Sequence, residues 1–229
     1  MSSEIKRWWN EDRILWYERA SETTDFQEKL SKIIASKIST EESILELGTG
    51  LGYQGELLHK RGYSIVSYDI DNEAISRAKS RSGLDIFKVS DWKDVKERRD
   101  TVLAVFFGRI TEKDNLDNLL SLANKRLIYI QSCHRGQNEN LRKKGDNTER
   151  TIEYLKARGI SFEYEEHRLS FPQKLESREE AIRFIASFYS TDKLDEYLKY
   201  AKMTADNKYP IEFKNDKEFI LFDIKKENK

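Results

Sequence analysis

The sequence predicts an α/β fold: a doubly wound, mostly parallel seven-stranded sheet with helices on both faces and a helical insertion before the last strand. Three observations support this prediction. Short apolar runs alternate with segments of helical periodicity along most of the chain. A glycine-rich turn at residues 48–52 joins the first apolar run to a helix. The run at 101–107 is apolar without alternation, which is typical of a parallel strand covered on both faces.

Residues 5–38 are predicted to form two helices. The first is rich in aromatic side chains, including Trp8, Trp9 and Trp16, and the second carries apolar residues at helical spacing. Asp25 lies where it would cap the second helix. Because large aromatic side chains prefer protein interiors, the simplest interpretation is that they pack the N-terminal helix onto the sheet.

The stretch from Ser43 to Asp69 predicts a strand, a tight turn, a helix and a second strand. The apolar run 44–47 is followed by three alternate glycines and then by a helical pattern. A second apolar run, 63–68, ends in Asp69. This is a βαβ unit with an acidic residue at the position where the ribose of a ligand would lie.

The rest of the chain continues this alternation. The predicted helices cover 71–81, 114–123, 146–158 and, as two helices of the insertion, 177–205; the predicted strands cover 83–89, 101–107, 126–131, 161–171 and 217–224. Asp71 is interpreted as the N-cap of the helix that it precedes, and not as a ribose ligand. The chain is expected to be one domain, 1–229, made of N-terminal helices 1–40, a core of 42–171 and 217–226, and the insertion 172–210.

Composition excludes several classes of protein. The 41 Lys and Arg residues equal the 41 Asp and Glu residues, so no overall field attracts a nucleic acid. The single cysteine, Cys133, excludes an internal disulfide framework and a cysteine-based metal site, and it is expected in the core. No apolar run reaches the roughly twenty residues that cross a bilayer, and the first residues do not resemble a secretory signal. We therefore expect a cytoplasmic protein with no membrane partner and leave its oligomeric state open.

Two classes of ligand use a glycine turn of this kind. Gly50, Gly52 and Gly55 satisfy the three-glycine pattern of dinucleotide-binding proteins, which would suggest an oxidoreductase. Glu46 argues against that interpretation, because a carboxylate before the turn repels a diphosphate and attracts an ammonium group. The favoured ligand has a ribose and an ammonium group but no phosphate group. S-adenosylmethionine is a molecule of this kind.

The segment Glu46-Leu-Gly-Thr-Gly-Leu-Gly52 resembles the first motif of the class I S-adenosylmethionine-dependent methyltransferases. Val89–Trp92 resembles the adenine-contacting segment of that family, and Asp100–Gly108 resembles its fourth strand. The resemblance covers residues 42–131 and implies the following cofactor-binding residues: Glu46, Gly48, Thr49, Gly50 and Gly52 toward the methionine part, Asp69 toward the ribose, Ile70 directly after it in the same site, and Asp91, Trp92 and Phe107 toward or beneath the adenosine.

The resemblance also implies the reaction. The methyl group of S-adenosylmethionine would be displaced in line by an acceptor atom, S-adenosylhomocysteine would be released, and no metal is expected. Alignment of the two reactants in a dry cavity supplies much of such a rate, about 7 to 11 kcal/mol in favourable cases. In many members the helices before the first motif fold over the cofactor, so residues 1–40 are expected to form a lid, from which Tyr17 or Arg19 reaches the cofactor or the substrate.

Polar residues follow the fifth predicted strand, at the end of the sheet where ligands bind in open α/β folds. His134 is the expected general base. Arg135 and, after the fourth strand, Arg109 are expected to bind a carboxylate or phosphate of the substrate, with Tyr17 as a further positioning residue. The alternative is that this whole polar stretch, residues 132–144, is a surface loop with a solvated run of charges.

Three functions remain open at the level of sequence. A small-molecule methyltransferase is favoured by the balanced charge and by insertions able to enclose a pocket. An RNA or protein methyltransferase would use the basic stretch 135–144. A non-catalytic S-adenosylmethionine-binding protein would keep the same turn without turnover.

Overall fold

The computed structural model describes residues 8–133, 147–189 and 194–226. In chain order, its helices and strands are α1 Glu11–Thr23, α2 Phe26–Ala35, β1 Ile44–Leu47, α3 Tyr53–Lys60, β2 Ile65–Asp69, α4 Asn72–Ser82, β3 Phe87–Val89, β4 Arg99–Val105, α5 Asn115–Leu122, β5 Ala123–Ser132, α6 Asn147–Ala157, β6 Phe162–Ser170, β7 Gln173–Leu175, α7 Arg178–Phe188, α8 Leu194–Leu198, β8 Ala201–Met203, β9 Ile211–Phe213 and β10 Asp216–Lys225.

The main sheet has seven strands in the order β3-β2-β1-β4-β5-β10-β6, which confirms the predicted α/β architecture. Strands β1 to β5 pair in parallel, and β10 runs antiparallel to β5. The strand order reverses beside β1, where Ile44 pairs with Ile65 of β2 on one side and with Thr101 of β4 on the other. In open α/β sheets, ligands bind at the carboxyl ends of the strands next to such a switch point.

The hydrophobic core surrounds these central strands. All four residues of β1 are buried, and Leu45 and Leu47 join Val102 and Ala104 in one apolar cluster. Burial on both sheet faces explains why β1 and β4 read as continuous apolar runs. Cys133 is buried in the same cluster, as predicted.

Several strand boundaries differ from the prediction, and two of the differences have a clear backbone cause. β3 begins at Phe87, because Gly83 at φ +70° caps α4 and the chain then turns before the strand. β4 ends at Val105, because Phe106 has φ +52°, which no strand residue adopts. Phe106 and the residues after it therefore belong to a loop at the carboxyl end of the sheet.

The chain divides into two compact units, residues 1–27 with 169–217, and residues 28–168 with 218–229. The prediction that the insertion is helical was wrong in part, because β7, β9 and β8 form a separate three-stranded antiparallel sheet beside α7 and α8. Strands of three residues are too short to show a period of two in the sequence. The single-domain organisation and the lid stay predictions.

Helix α1 packs on α7 within the first of these units. Trp16 lies edge-on to Phe184, with ring centroids 5.2 Å apart, and its indole nitrogen donates to Glu180 at 3.0 Å. Arg19 donates to both oxygens of Glu180, at 3.0 and 2.9 Å, and to Glu176 at 2.9 Å. Arg19 and Glu180 are 6% and 4% exposed, so the guanidinium of Arg19 is committed to packing this unit and not to a ligand.

Within the described residues, no helix is both long enough and apolar enough to cross a membrane.

Candidate functional site

A turn of three left-handed glycines lies at the carboxyl end of β1. Gly48, Gly50 and Gly52 have φ of +71°, +55° and +74°, a region that side chains disfavour. The backbone nitrogens of Gly48 and Thr49 donate to the carbonyl of Tyr68, at 2.8 and 3.0 Å, which fixes the turn to β2. This segment, residues 48–52, is the glycine turn.

Aromatic side chains fill the space beside two glycines of the glycine turn. A Cβ on Gly48 would lie 2.2 Å from Cδ2 of Phe107, and one on Gly52 would lie 2.6 Å from Phe87. Phe107 in turn lies edge-on to Trp92, with ring centroids 6.0 Å apart. Two aromatic residues predicted to lie near the cofactor are therefore in contact, and one of them packs on the turn.

We expect Gly48→Ala to cost about 2 to 5 kcal/mol of stability, because backbone strain and overpacking against Phe107 add. Gly83→Ala is the matched control: Gly83 has nearly the same φ, +70°, but a Cβ there meets nothing within 4 Å. Urea unfolding of both variants separates the two contributions. Equal losses of stability would mean that Phe107 does not restrict the turn.

Glu46 lies beneath the glycine turn, near the end of β1. Its side chain is 2% exposed, and Oε2 accepts hydrogen bonds from the hydroxyls of Thr49 and Ser67, both at 2.7 Å. Burial raises the pKa of Glu46 above its usual range, and the nearby charge of Asp69 acts in the same direction, while the two hydroxyl donors oppose the shift. Among the described residues, Oε1 makes no hydrogen bond.

Gly55 is the third glycine of the pattern that resembles the dinucleotide motif, and its packing explains why a glycine stands there. A Cβ at this position of α3 would lie 2.5 Å from the hydroxyl of Ser67 and 2.8 Å from Oε2 of Glu46. The glycine lets α3 pack directly against the buried carboxylate. Ser67 was not predicted as a site residue. Its only signal in the sequence is a polar residue inside an apolar run, and in the structure it is 0% exposed.

Asp69 ends β2 and holds the glycine turn from the other side. Its Oδ2 accepts from the backbone nitrogen of Gly50 at 2.7 Å, and its Oδ1 accepts from that of Asp71 at 2.9 Å. Burial is the main cause that raises the pKa of Asp69. Asp71 is the N-cap of α4 as predicted, because its carboxylate accepts from the backbone nitrogens of Glu73 and Ala74. The ribose role of Asp69 stays a prediction.

The predicted adenine side is an exposed apolar surface next to Asp69. Ile70 and Val89, at the ends of β2 and β3, are 44% and 49% exposed. Asp91 follows in a loop, where its carboxylate accepts from the backbone nitrogen of Lys93 at 3.0 Å. Exposed aliphatic side chains close to a carboxylate suit a planar heterocycle with an exocyclic amine.

A second depression lies at the ends of β4 and β5. It has a volume of about 150 Å³, and the residues that matter for its chemistry are Phe106, Arg109, Thr111, Tyr129, Gln131 and Thr151. We name it the β4–β5 cleft. Of the predicted substrate residues, Arg109 lines this cleft, whereas Tyr129 and Gln131 were not predicted as site residues.

Tyr129 supports this cleft without acting as a base. Burial raises its pKa to about 12, so the phenol keeps its proton at neutral pH. Its hydroxyl donates to the carbonyl of Gly108 at 3.1 Å, which holds the loop that carries Arg109. Phe106, with its positive φ, packs edge-on against Phe219 at 5.8 Å. A strained backbone held by such contacts is a common feature of ligand sites.

The remaining predicted residues are less informative. Tyr17 packs against Trp9 and Phe171, each with ring centroids 5.4 Å away, and its hydroxyl accepts from Gln27, all within one compact unit. Its substrate role stays a prediction. His134 and Arg135 lie outside the described residues. In the part of the chain that is described, no three His, Cys, Asp or Glu side chains form a group able to hold a metal ion.

Comparisons with known proteins identify the fold. No family model matches the sequence, and no curated protein does so either. Among solved structures, a TehB-like S-adenosylmethionine-dependent methyltransferase from Corynebacterium glutamicum is 17% identical with a TM-score of 0.53, and the match covers 94% of this chain and 96% of that one. The magnesium protoporphyrin IX methyltransferase of Synechocystis, solved with bound S-adenosylhomocysteine, is 14% identical with a TM-score of 0.52 over 88% and 83% of the two chains.

A proposed RNA methyltransferase from Pyrococcus horikoshii is 13% identical, with a TM-score of 0.51 over 90% of this chain and 82% of that one. At these identities the comparisons establish the architecture. The chain has the class I methyltransferase fold, which confirms at that level the resemblance read from residues 42–131.

Proposed function

We propose that this protein is an S-adenosylmethionine-dependent methyltransferase that acts on a small molecule. The observation that carries the proposal is one connected set of contacts at the switch point of the sheet. Glu46 bonds Thr49 of the glycine turn, Asp69 bonds Gly50 of the same turn, and Phe107 packs on Gly48. Each of these residues was predicted from the sequence, and the contacts join them.

The residues present fit the cofactor. The glycine turn lies at the carboxyl end of β1, beside the switch point of the sheet, where a ligand of an open α/β fold binds. Glu46 would face the ammonium of the methionine part through Oε1, and Asp69 would accept from the ribose hydroxyls. Ile70 and Asp91 would contact the adenine ring and its amine, the first by apolar packing and the second by a hydrogen bond.

When bound, the cofactor would supply a methyl group on a positively charged sulfur. Because departure of the thioether neutralises that charge, the protein needs to align the acceptor and exclude water more than it needs covalent chemistry. Phe107 and Trp92 would form an apolar boundary beside the cofactor. His134 is proposed as the base for an acceptor that keeps its proton until late in the reaction.

A small acceptor is favoured over a macromolecule by two features. The β4–β5 cleft, about 150 Å³, suits one end of a small molecule. The chain has no net charge, so an RNA would gain no long-range attraction from the whole protein. Proteins with this fold include a magnesium protoporphyrin IX methyltransferase and a proposed RNA methyltransferase, so the fold itself does not decide between the two kinds of acceptor.

The test uses S-adenosylmethionine labelled in its methyl group. Incubated with a fractionated metabolite extract, total RNA or total protein, the enzyme should transfer label to the metabolite fraction. Asp69→Asn should raise KM for the cofactor about tenfold or more, because it weakens charge-assisted hydrogen bonds. Asp85→Asn, at a fully exposed aspartate of the same unit, should leave it unchanged.

Other outcomes would redirect the assignment. Label in the RNA or protein fraction would support the alternative acceptor classes. Tight binding of S-adenosylhomocysteine without any transfer would identify a non-catalytic binding protein. Absence of cofactor binding by calorimetry would overturn the proposal altogether.

A further inference from the structure

Gln131, near the end of β5, carries a buried donor that the rest of the described structure does not use. The residue is 9% exposed and lines the β4–β5 cleft. Its Oε1 accepts a hydrogen bond from the hydroxyl of Thr151 at 3.0 Å. Its Nε2 is buried and, among the described residues, has no hydrogen-bond partner.

An unpaired buried amide donor is costly, and most native structures avoid it. In this structure Oε1 faces the hydroxyl of Thr151 and accepts from it, so Nε2 is left to a different partner. Gln131 and Thr151 both line the cleft, and from this we infer that the partner of Nε2 comes from a molecule inside it. The group that satisfies Nε2 must be a hydrogen-bond acceptor.

Arg109 adds a positive charge to the same cleft. It is exposed in the loop after β4, and its side chain makes no hydrogen bond or ion pair to the rest of the described chain. The nearest source of opposing charge along the loop is the exposed carboxylate of Glu112, which does not line the cleft. Tyr129 contributes no further donor, because its hydroxyl proton is taken by the carbonyl of Gly108.

We propose that the β4–β5 cleft binds a carboxylate of the methyl acceptor, an inference that rests on the proposed function. Arg109 would balance the negative charge, Gln131 would donate to one carboxylate oxygen, and Phe106 would cover the adjoining part of the molecule. One cation and one neutral donor match a single negative charge. A phosphate monoester, which carries about −1.5 to −2 charges near pH 7, would stay under-compensated.

The cleft volume is consistent with this use. Sites that enclose a whole drug-sized ligand measure about 300 to 1,000 Å³, whereas this cleft measures about 150 Å³. It therefore fits a carboxylate and the atoms next to it, with the remainder of the acceptor outside.

Benzoate is the probe, with benzyl alcohol and phenyl phosphate as matched compounds that differ in the polar group. We expect NMR titration of the full-length, nitrogen-15-labelled protein saturated with S-adenosylhomocysteine to show saturable benzoate binding that shifts the side-chain amide signals of Gln131. Benzyl alcohol should bind at least tenfold more weakly. Gln131→Leu and Arg109→Gln should each weaken benzoate binding about tenfold or more, since each removes a hydrogen bond to a charged group.

Two controls protect this test. Gln131→Leu removes the unpaired donor but also the acceptor of the Thr151 hydroxyl, so thermal unfolding of the variant is measured first, and the titration is run well below its unfolding temperature so that lost binding is not unfolding. Arg98→Gln changes an exposed arginine at the opposite end of β4 and should leave benzoate binding unchanged.

Benzoate affinity that is unchanged in Gln131→Leu, or an absence of saturable benzoate binding, would overturn the inference. Tighter binding of phenyl phosphate than of benzoate would overturn the choice of carboxylate. Calorimetry with S-adenosylhomocysteine separates the two proposals. Cofactor binding without benzoate binding removes only the acceptor inference, whereas failure to bind the cofactor removes the proposed function.

Discussion

Replacing Glu46 by glutamine should weaken the binding of S-adenosylhomocysteine about 10- to 100-fold, the usual effect of losing a hydrogen bond between charged groups. The same change should leave the fold as stable as the wild type or more so at neutral pH. Glutamine can still accept from the hydroxyls of Thr49 and Ser67, and it avoids the cost of a buried charge. Calorimetry gives the affinity and thermal unfolding gives the stability.

The pH dependence of these quantities follows from the raised pKa of Glu46. Between the ordinary glutamate value of 4.5 and the higher folded value, the folded chain binds more protons than the unfolded chain, so the contribution of Glu46 to stability falls as pH rises. A bound ammonium favours the carboxylate and lowers this pKa. Cofactor affinity should therefore rise with pH through the same window, and binding should release protons, which calorimetry detects as a binding enthalpy that varies with the ionisation enthalpy of the buffer.

Glu41→Gln is the control, because Glu41 is exposed just before the other end of β1. It should bind S-adenosylhomocysteine with unchanged affinity and with the same pH dependence as the wild type. If Glu46→Gln also behaves like the wild type, the carboxylate does not contact the cofactor, and its role is limited to holding Thr49 and Ser67.

Removing Glu180 should destabilise the unit that contains α1 and α7 by about 3 to 5 kcal/mol. Glu180→Ala leaves the guanidinium of Arg19 buried without its main counter-charge, and it leaves the indole N–H of Trp16 without its acceptor. Urea unfolding followed by tryptophan fluorescence measures the loss.

Asp12→Ala is the matched control, because Asp12 pairs with Arg183 between the same two helices but both side chains are about half exposed. It should cost no more than about 1 kcal/mol. The double variant Arg19→Met with Glu180→Leu should regain most of the lost stability, because a buried pair can be replaced by apolar side chains. If Glu180→Ala costs no more than Asp12→Ala, the buried network does not hold this unit together.

The central part of the fold was predictable because its signals are local. β1, the glycine turn, α3 and β2 lie within one stretch of chain, and burial on both faces makes their apolar runs continuous. The three-stranded sheet was not predictable, because β7 and β9 pair across almost forty residues and each has only three. The early end of β4 depends on the backbone of Phe106, which is an aromatic residue that commonly favours strands.

The residues of the candidate site likewise divide into those with a local sequence signal and those that only tertiary contacts reveal. Glu46, Asp69 and the glycines occur at spacings that the chain itself enforces, so the pattern located them. Gln131 and Ser67 matter only because of what lies beside them in space, Thr151 in one case and Glu46 in the other. A single polar residue inside an apolar strand is a weak signal, and its meaning requires the tertiary contacts.

The close packing of α3 on β2 at Gly55 has a consequence for sequence searches. A search by glycine spacing alone would group this chain with nicotinamide-dependent enzymes. In this chain, however, the third glycine, Gly55, allows α3 to pack against the buried carboxylate of Glu46. A query that demands glutamate two residues before the first glycine, threonine directly after that glycine and serine in mid-strand, as Glu46, Thr49 and Ser67 stand, should retrieve a narrower and chemically more uniform group.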